Sequence, residues 1–218
     1  MARPVTDATV RKRDSERTRR DIIDIATKEF ADKGYAGARV DEIAERTHTT
    51  KRMLYYYFGD KDGLYRAVLE HSYGRIRAQE RRARIDESDP VTAVRQIAEI
   101  TFDHHDRNPD FIRIVAGENI LKGAHMNHAD QVAGMGSPAL DVLRPIVERG
   151  REQGVFRDDI DALDVHQAIS SYCFFRVANR YTWKSLFGQN LTAPDERARQ
   201  RRILGDMIVA LLTTPAQP

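Results

Sequence analysis

The chain has 218 residues, 41% apolar and 31% charged, with a formal net charge of +2. That balance fits a soluble globular protein of one large or two modest domains and excludes a disordered chain. No apolar run nears the ~20 residues that cross a bilayer. No apolar segment follows the N-terminal arginines as in a secretory signal, and the single cysteine, Cys173, excludes an internal disulfide, so a cytoplasmic protein with no membrane role is expected.

Charge is distributed unevenly. Residues 1–20 hold seven basic residues (Arg3, Arg11, Lys12, Arg13, Arg17, Arg19, Arg20) against three acids (Asp7, Asp14, Glu16). Residues 1–16 are read as a basic, disordered arm able to follow phosphates. A helix follows over Arg17–Lys33, with Ile22, Ile25, Ala26 and Phe30 on one side and Gly34 as its stop. Next comes a short helix burying Val40, Ile43 and Ala44, then a turn through Thr47, His48 and Thr49. Thr50 suits the N-cap of a second short helix, in which Leu54 and Phe58 share the buried face. Asp60 caps a long helix to about Arg84, with Tyr65, Leu69, Tyr73 and Ile76 inward and Arg75, Arg77, Arg81, Arg82 and Arg84 wet.

Ser88-Asp89-Pro90 starts a helix that buries Val91, Val94, Ile97, Ala98 and Thr101, and Asn108-Pro109 interrupts it. Phe111–Leu121 is apolar nearly all round and reads as a central helix; residues 122–136 read as a loop or short irregular helix. A helix from Ser137 carries Leu140, Leu143, Ile146 and Val147, with a kink expected at Pro145. Asp161 and Asp164 pair as caps for a helix to about Tyr181, and a last helix from Pro194 is expected to bury Ile203, Met207, Ala210 and Leu211. No β signal and no repeat occurs, so the fold class is all-α.

The segment Val40–Lys61 carries the chemistry. Two short helices joined by a tight turn suit insertion of the second into the DNA major groove. On that second helix Arg52, Tyr55 and Tyr56 lie opposite Leu54, with Lys51 at the flank. Arginine grips guanine edges with two hydrogen bonds, whereas tyrosine hydroxyls and lysines suit phosphate oxygens. Lys61 falls in the first turn of the next helix, beside exposed amides that attract phosphate. Arg52, Lys51 and Tyr56 are therefore assigned to bases or their borders, and Thr50, Tyr55, Tyr57, Lys61 and Arg39 to phosphates. The bland alternative is a helical hairpin with a wet polar face.

From Thr18 to about Glu70 the chain resembles the DNA-binding domain of the TetR family of bacterial ligand-responsive transcriptional regulators. The matching residues are Phe30-Ala31-Asp32-Lys33-Gly34-Tyr35, Val40, Ile43-Ala44, Leu54-Tyr55-Tyr56-Tyr57-Phe58 and Lys61-Asp62-Gly63-Leu64. Two positions depart from the family pattern: His48 replaces a turn glycine and Arg39 a capping hydroxyl. The resemblance implies a helix-turn-helix domain over residues 17–63, then a helical effector-binding and dimerisation domain over residues 64–218. It implies a homodimer formed through the two C-terminal helices, released by a small-molecule effector from a palindromic operator in double-stranded DNA. A twofold dimer places its reading helices roughly 34–36 Å apart, or a little more. The wide apolar arc of Val165, Ala168, Ile169, Tyr172, Cys173 and Phe175 agrees with such a partner surface.

Candidate effector-lining residues are Phe102, His105, Ile112, Val115, Asn119, Met126, Phe174, Arg176 and Trp183, which combine apolar walls with a few polar handles. Arg176 suits a carboxylate ligand or an acid across the dimer. No metal site is expected from His104-His105 or His125 and His128, which have no cysteine or tight carboxylate cluster beside them. No cofactor and no catalytic residue is expected, and Cys173 reads as an inert buried thiol. The expected function is that of a dimeric transcriptional regulator, a repressor. The rivals are a small-molecule binding protein that has lost DNA binding, an enzyme using the C-terminal cavity, and a transcriptional activator.

Overall fold

The structure, a computed structural model, describes residues 7–82, 85, 89–126 and 137–214. Among the described residues there are ten α-helices and no strands. They are α1 (Asp7–Gly37), α2 (Val40–Arg46), α3 (Lys51–Phe58), α4 (Lys61–Arg82), α5 (Pro90–Arg107), α6 (Pro109–Ile120), α7 (Ser137–Glu152), α8 (Ala162–Ala178), α9 (Arg180–Phe187) and α10 (Pro194–Thr213). None of them is long and apolar enough to cross a membrane.

The chain divides into two units. The first comprises Met1–Ser72 with Arg113–Ala129, and the second Tyr73–Ile112 with Asp130–Pro218. The core of the first unit is Ile22, Ala26 and Phe30 of α1, Val40 and Ile43 of α2, Leu54 of α3, Leu64, Val68 and Leu69 of α4, and Ile114 of α6. The core of the second is built around α5, against which α7, α8 and α10 pack. It joins Val94, Ala98 and Phe102 to Ile146, Ile169, Cys173, Leu204, Ile208 and Leu212.

Several caps follow directly from the sequence. The Asp89 carboxylate accepts from the Val91 N–H at 3.1 Å, with Pro90 in the first turn where its missing donor costs nothing. Asp161 and Asp164 form a reciprocal capping box on α8. Burial pushes the Cys173 thiol up to about 12, so it stays protonated.

Five expectations need correction. Residues 7–16, expected as a disordered arm, belong to α1. The sequence from Val5 to Lys33 has no glycine or proline, and arginine and lysine are good helix formers, so nothing stops the helix from extending. Residues 1–6 lie outside the description. Arg77, expected wet, is buried. Ile120, expected in an all-round buried helix, is 81% exposed. The α8 helix ends at Ala178 rather than about Tyr181, and a separate short helix, α9, follows before Gly188 closes it in the left-handed conformation (φ 71°). Finally, α10 turns Leu204, Ile208 and Leu212 inward, leaving Ile203 half-buried and Met207 exposed. Both stripes of α10 are apolar, so periodicity alone does not choose between them. The segment 122–136 is described only to Met126, as turns and the start of a 3₁₀ turn.

Candidate nucleic-acid interface

The geometry of the α2–turn–α3 segment is set by a few local choices. The α2 helix has no side-chain cap, because Arg39 stands where a hydroxyl would serve. Its place is taken from the core: Glu29, only 2% exposed, accepts from the Arg39 N–H at 3.4 Å and from the Arg46 guanidinium at 3.2 Å, with the Lys33 ammonium at 2.8 Å. Burial alone would push the Glu29 carboxyl up. The bonds from Lys33 and the Arg39 amide and the charge of Arg46 outweigh it and hold the group below the ordinary range. Sequence reasoning missed Glu29. The signal was an acid among Ile22, Ala26 and Phe30 on the inward face of α1.

His48 turns the chain with φ 52°, in the left-handed region where histidine is tolerated better than most side chains. Thr50 caps α3, its hydroxyl accepting from the Met53 N–H at 3.3 Å. Leu54 is 1% exposed and anchors the helix, while Phe58 is half-buried beneath Arg19, whose guanidinium lies 5.2 Å from the ring centroid. The α3–α4 turn is capped by Asp60, which accepts from the Gly63 N–H at 2.6 Å. Gly63 is required there: a Cβ would fall 1.9 Å from the Phe58 carbonyl oxygen.

The DNA-facing candidates are gathered on one side, with two qualifications. Lys51, Arg52, Tyr55 and Tyr56 are all exposed, Tyr56 to 78%. Arg39 and Thr50 flank the same α2–α3 segment, Arg39 exposed and 3.8 Å from Glu42. Lys51 is engaged, its ammonium 3.1 Å from Asp41, whose hydrogen bond and charge push the lysine up. Tyr57 departs from the expected role. It is half-buried against the core, and its hydroxyl accepts from Ser15 at 3.2 Å. Lys61 lies at the start of α4, its ammonium 4.9 Å from the Tyr35 ring centroid and donating to the Ala36 carbonyl at 3.4 Å.

The effector candidates fall in both units. Phe102, His105 and Ile112 are buried in the second unit. Val115, Asn119 and Met126 belong to the first unit. Asn119 is exposed and bonds to the Val115 carbonyl of its own helix, and Met126 packs on the first unit's core. Arg176 is 2% exposed, with its guanidinium over Phe102 at 4.0 Å. It pairs with Asp106 and donates to the Leu191 carbonyl at 2.9 Å, so two of its nitrogens are already committed within the chain. Phe174 is half-buried, and Trp183 stacks edge-on with Phe175 at 5.5 Å. Trp183 and Arg176 both line an open groove of about 590 Å³ shared with Tyr172, Phe175, Ile203 and Met207.

His105 Nδ1 donates to the Thr101 carbonyl (2.8 Å) and His104 Nδ1 to the Gln79 amide oxygen (2.9 Å), so each Nδ1 carries the proton. Burial first, and then neighbouring cationic groups, push both imidazoles down to about 4.

Residues 22–68 match the family model described as "Bacterial regulatory proteins, tetR family", and residues 90–208 match "Tetracyclin repressor-like, C-terminal domain". The chain belongs to the TetR family. Among TetR relatives, the HTH-type transcriptional repressor NicS of Pseudomonas putida is 35% identical over 198 residues, covering 91% of this chain and 93% of NicS. A bacterial regulatory protein of the tetR family from Rhodococcus RHA1 shares the fold with a TM-score of 0.72 at 19% identity, covering 91% of this chain and 98% of that one. FadR from Bacillus subtilis, solved in complex with stearoyl-CoA, shares it with a TM-score of 0.63 at 16% identity, covering 88% and 97%. The TetR family consists of transcriptional regulators rather than enzymes.

Proposed function

We propose that this TetR-family chain is a cytoplasmic repressor that binds a palindromic operator as a homodimer and releases it when a small-molecule effector binds. One observation carries the DNA-binding reading: α3 is pinned by Leu54 and offers Arg52, Tyr55 and Tyr56 to solvent on its opposite side. Arg52 reads base edges, with Lys51 and Tyr56 beside it. Arg39, Thr50, Tyr55 and Lys61 hold the backbone, and Tyr57 supports the helix from behind. Lys51 reaches DNA by leaving Asp41, an exposed pair that is easily given up.

The repressor assignment draws on NicS, a repressor by name. The dimer assignment draws on the outward apolar stripe of Ile203 and Met207 on α10 beside Tyr172 and Phe175 on α8. The effector assignment follows FadR, which was solved with a small molecule bound. An effector works by binding the released conformation better than the DNA-bound one.

Selection of bound duplexes from a random pool tests the reading. Inverted repeats should be enriched, and Arg52→Ala should flatten the base preference. A pool that emerges unenriched overturns the proposal.

A further inference from the structure

We infer that Tyr35 is the positioning residue for the Lys61 phosphate contact, and that Glu118 and His125 hold Tyr35 in place from the turn after α6. The inference rests on the DNA-binding reading above. It names a route, wholly within the first unit, from the segment Arg113–Met126 to a DNA contact.

The route begins at Glu118, a carboxylate 1% exposed in α6. One of its oxygens accepts from the His125 N–H at 2.7 Å and the Met126 N–H at 3.0 Å, and the other meets His125 Nδ1 at 3.0 Å. A buried carboxylate is strongly disfavoured without such donors, so the turn is tied to one conformation. That conformation lays the His125 ring 4.3 Å from Tyr35 and 4.8 Å from Tyr65.

Tyr35 is fixed on its other sides as well. Its ring packs edge-on against Tyr65 at 5.2 Å, and its hydroxyl donates to the Asp62 carboxylate in the first turn of α4. Burial and then that bond push the phenol up to about 12, so it remains a donor. The Lys61 ammonium lies over the ring, 4.9 Å from its centroid, well within cation–π range. A lysine side chain has much rotamer freedom to lose on meeting a phosphate, and a ring that already restrains it lowers that loss. A second restraint, the Ala36 carbonyl, comes from the same stretch of chain as Tyr35. Changes at the turn after α6 therefore reach the charge that meets DNA through one aromatic ring.

The test measures binding of the full chain to a fluorescently labelled duplex of random sequence over a range of salt. The slope of log K against log salt reports the phosphate contacts, about 0.9 per contact on B-DNA. Lys61→Ala should lower the slope by about one contact. Tyr35→Leu should lower it by a similar amount, and Tyr35→Phe, which keeps the ring but loses the Asp62 bond, should restore it. The double variant Lys61→Ala/Tyr35→Leu should be no lower than Lys61→Ala alone. A structural role alone would lower the melting temperature without this pattern. His125→Ala removes the ring and its bond to Glu118 but keeps both backbone donors, and should lower the slope in the same direction by about half as much. It decides the matter alone should Tyr35→Leu fail to fold. A parental slope in Tyr35→Leu or His125→Ala, or an additive loss in the double variant, overturns the inference. Parent protein that binds no duplex at any salt overturns the DNA-binding reading instead.

Discussion

The α2–α3 segment and the α5–α10 pair both carry many charges, and they use them in opposite ways. On α3 the ion pair is exposed: Lys51 and its α2 partner Asp41 keep 48% and 58% of their side-chain surface in water. Between α5 and α10, Glu99 and Asp103 meet Arg201, and Asp103 and Asp106 meet Arg197. Asp106 also holds the buried Arg176 of α8. An exposed pair contributes little and is readily exchanged for a phosphate. Arg197 and Arg201 still keep 35% and 34% of their side-chain surface in water, but Arg176 keeps 2%, and breaking its pair is strongly disfavoured because the orphaned charge has no water to turn to. Counting arginines therefore says little about nucleic-acid binding; the burial of their partners says much more.

The comparison can be broken most sharply at Asp106. Asp106→Ala leaves Arg176 buried beside a neutral side chain and should cost about 3–5 kcal/mol in denaturant unfolding. A loss under 1 kcal/mol would mean that the network is no more than a surface decoration. Acid is the next lever. His104 and His105 have folded values near 4 against the ordinary 6.5, so the unfolded chain binds more protons between these values. Their contribution is complete above pH 6.5, is lost as pH falls through that value toward 4, and should amount to about 1–3 kcal/mol each. Unfolding titrations of His104→Phe and His105→Phe should show a flatter decline than the parent over that window.

Arg52→Ala probes the opposite side of the comparison. It should leave the melting temperature unchanged and cost about 1–3 kcal/mol of discrimination between the selected duplex and a mismatched one. A drop in melting temperature of several degrees would show that Arg52 serves the fold instead. The smallest effect is expected from Asp41→Asn, which frees Lys51. It should leave the unfolding midpoint unchanged and tighten binding to every duplex slightly. Weaker binding would show that Asp41 orients Lys51 rather than withholding it.

Much of the first unit was legible in the sequence. Val40, Ile43, Ala44 and Leu54 fall on the core because each short helix has only one apolar side. Thr50 and Asp60 announce their caps by residue type, and even the unusual His48 was placed in its turn. The C-terminal helices were harder to read. Ile203, Met207, Leu204 and Ile208 give α10 two apolar stripes, so spacing supports either orientation, and the inward one proved to be the second. Charged residues inside stripes, Glu29 and Arg77, were misjudged or passed over because sequence shows a charge without showing its partner. That Asn119 and Met126 fall in the first unit and Phe102 and His105 in the second follows from where α6 passes from one unit to the other, which is a property of packing and not of periodicity.

The bare α-carbon of Gly63, seated against the carbonyl of Phe58, has a consequence for how such a protein diversifies. With no room for even a methyl group, position 63 takes no larger residue unless the α3–α4 turn shifts. On the proposed reading, new targets come from exchanging the exposed side chains at positions 51, 52, 55 and 56, with Gly63 kept.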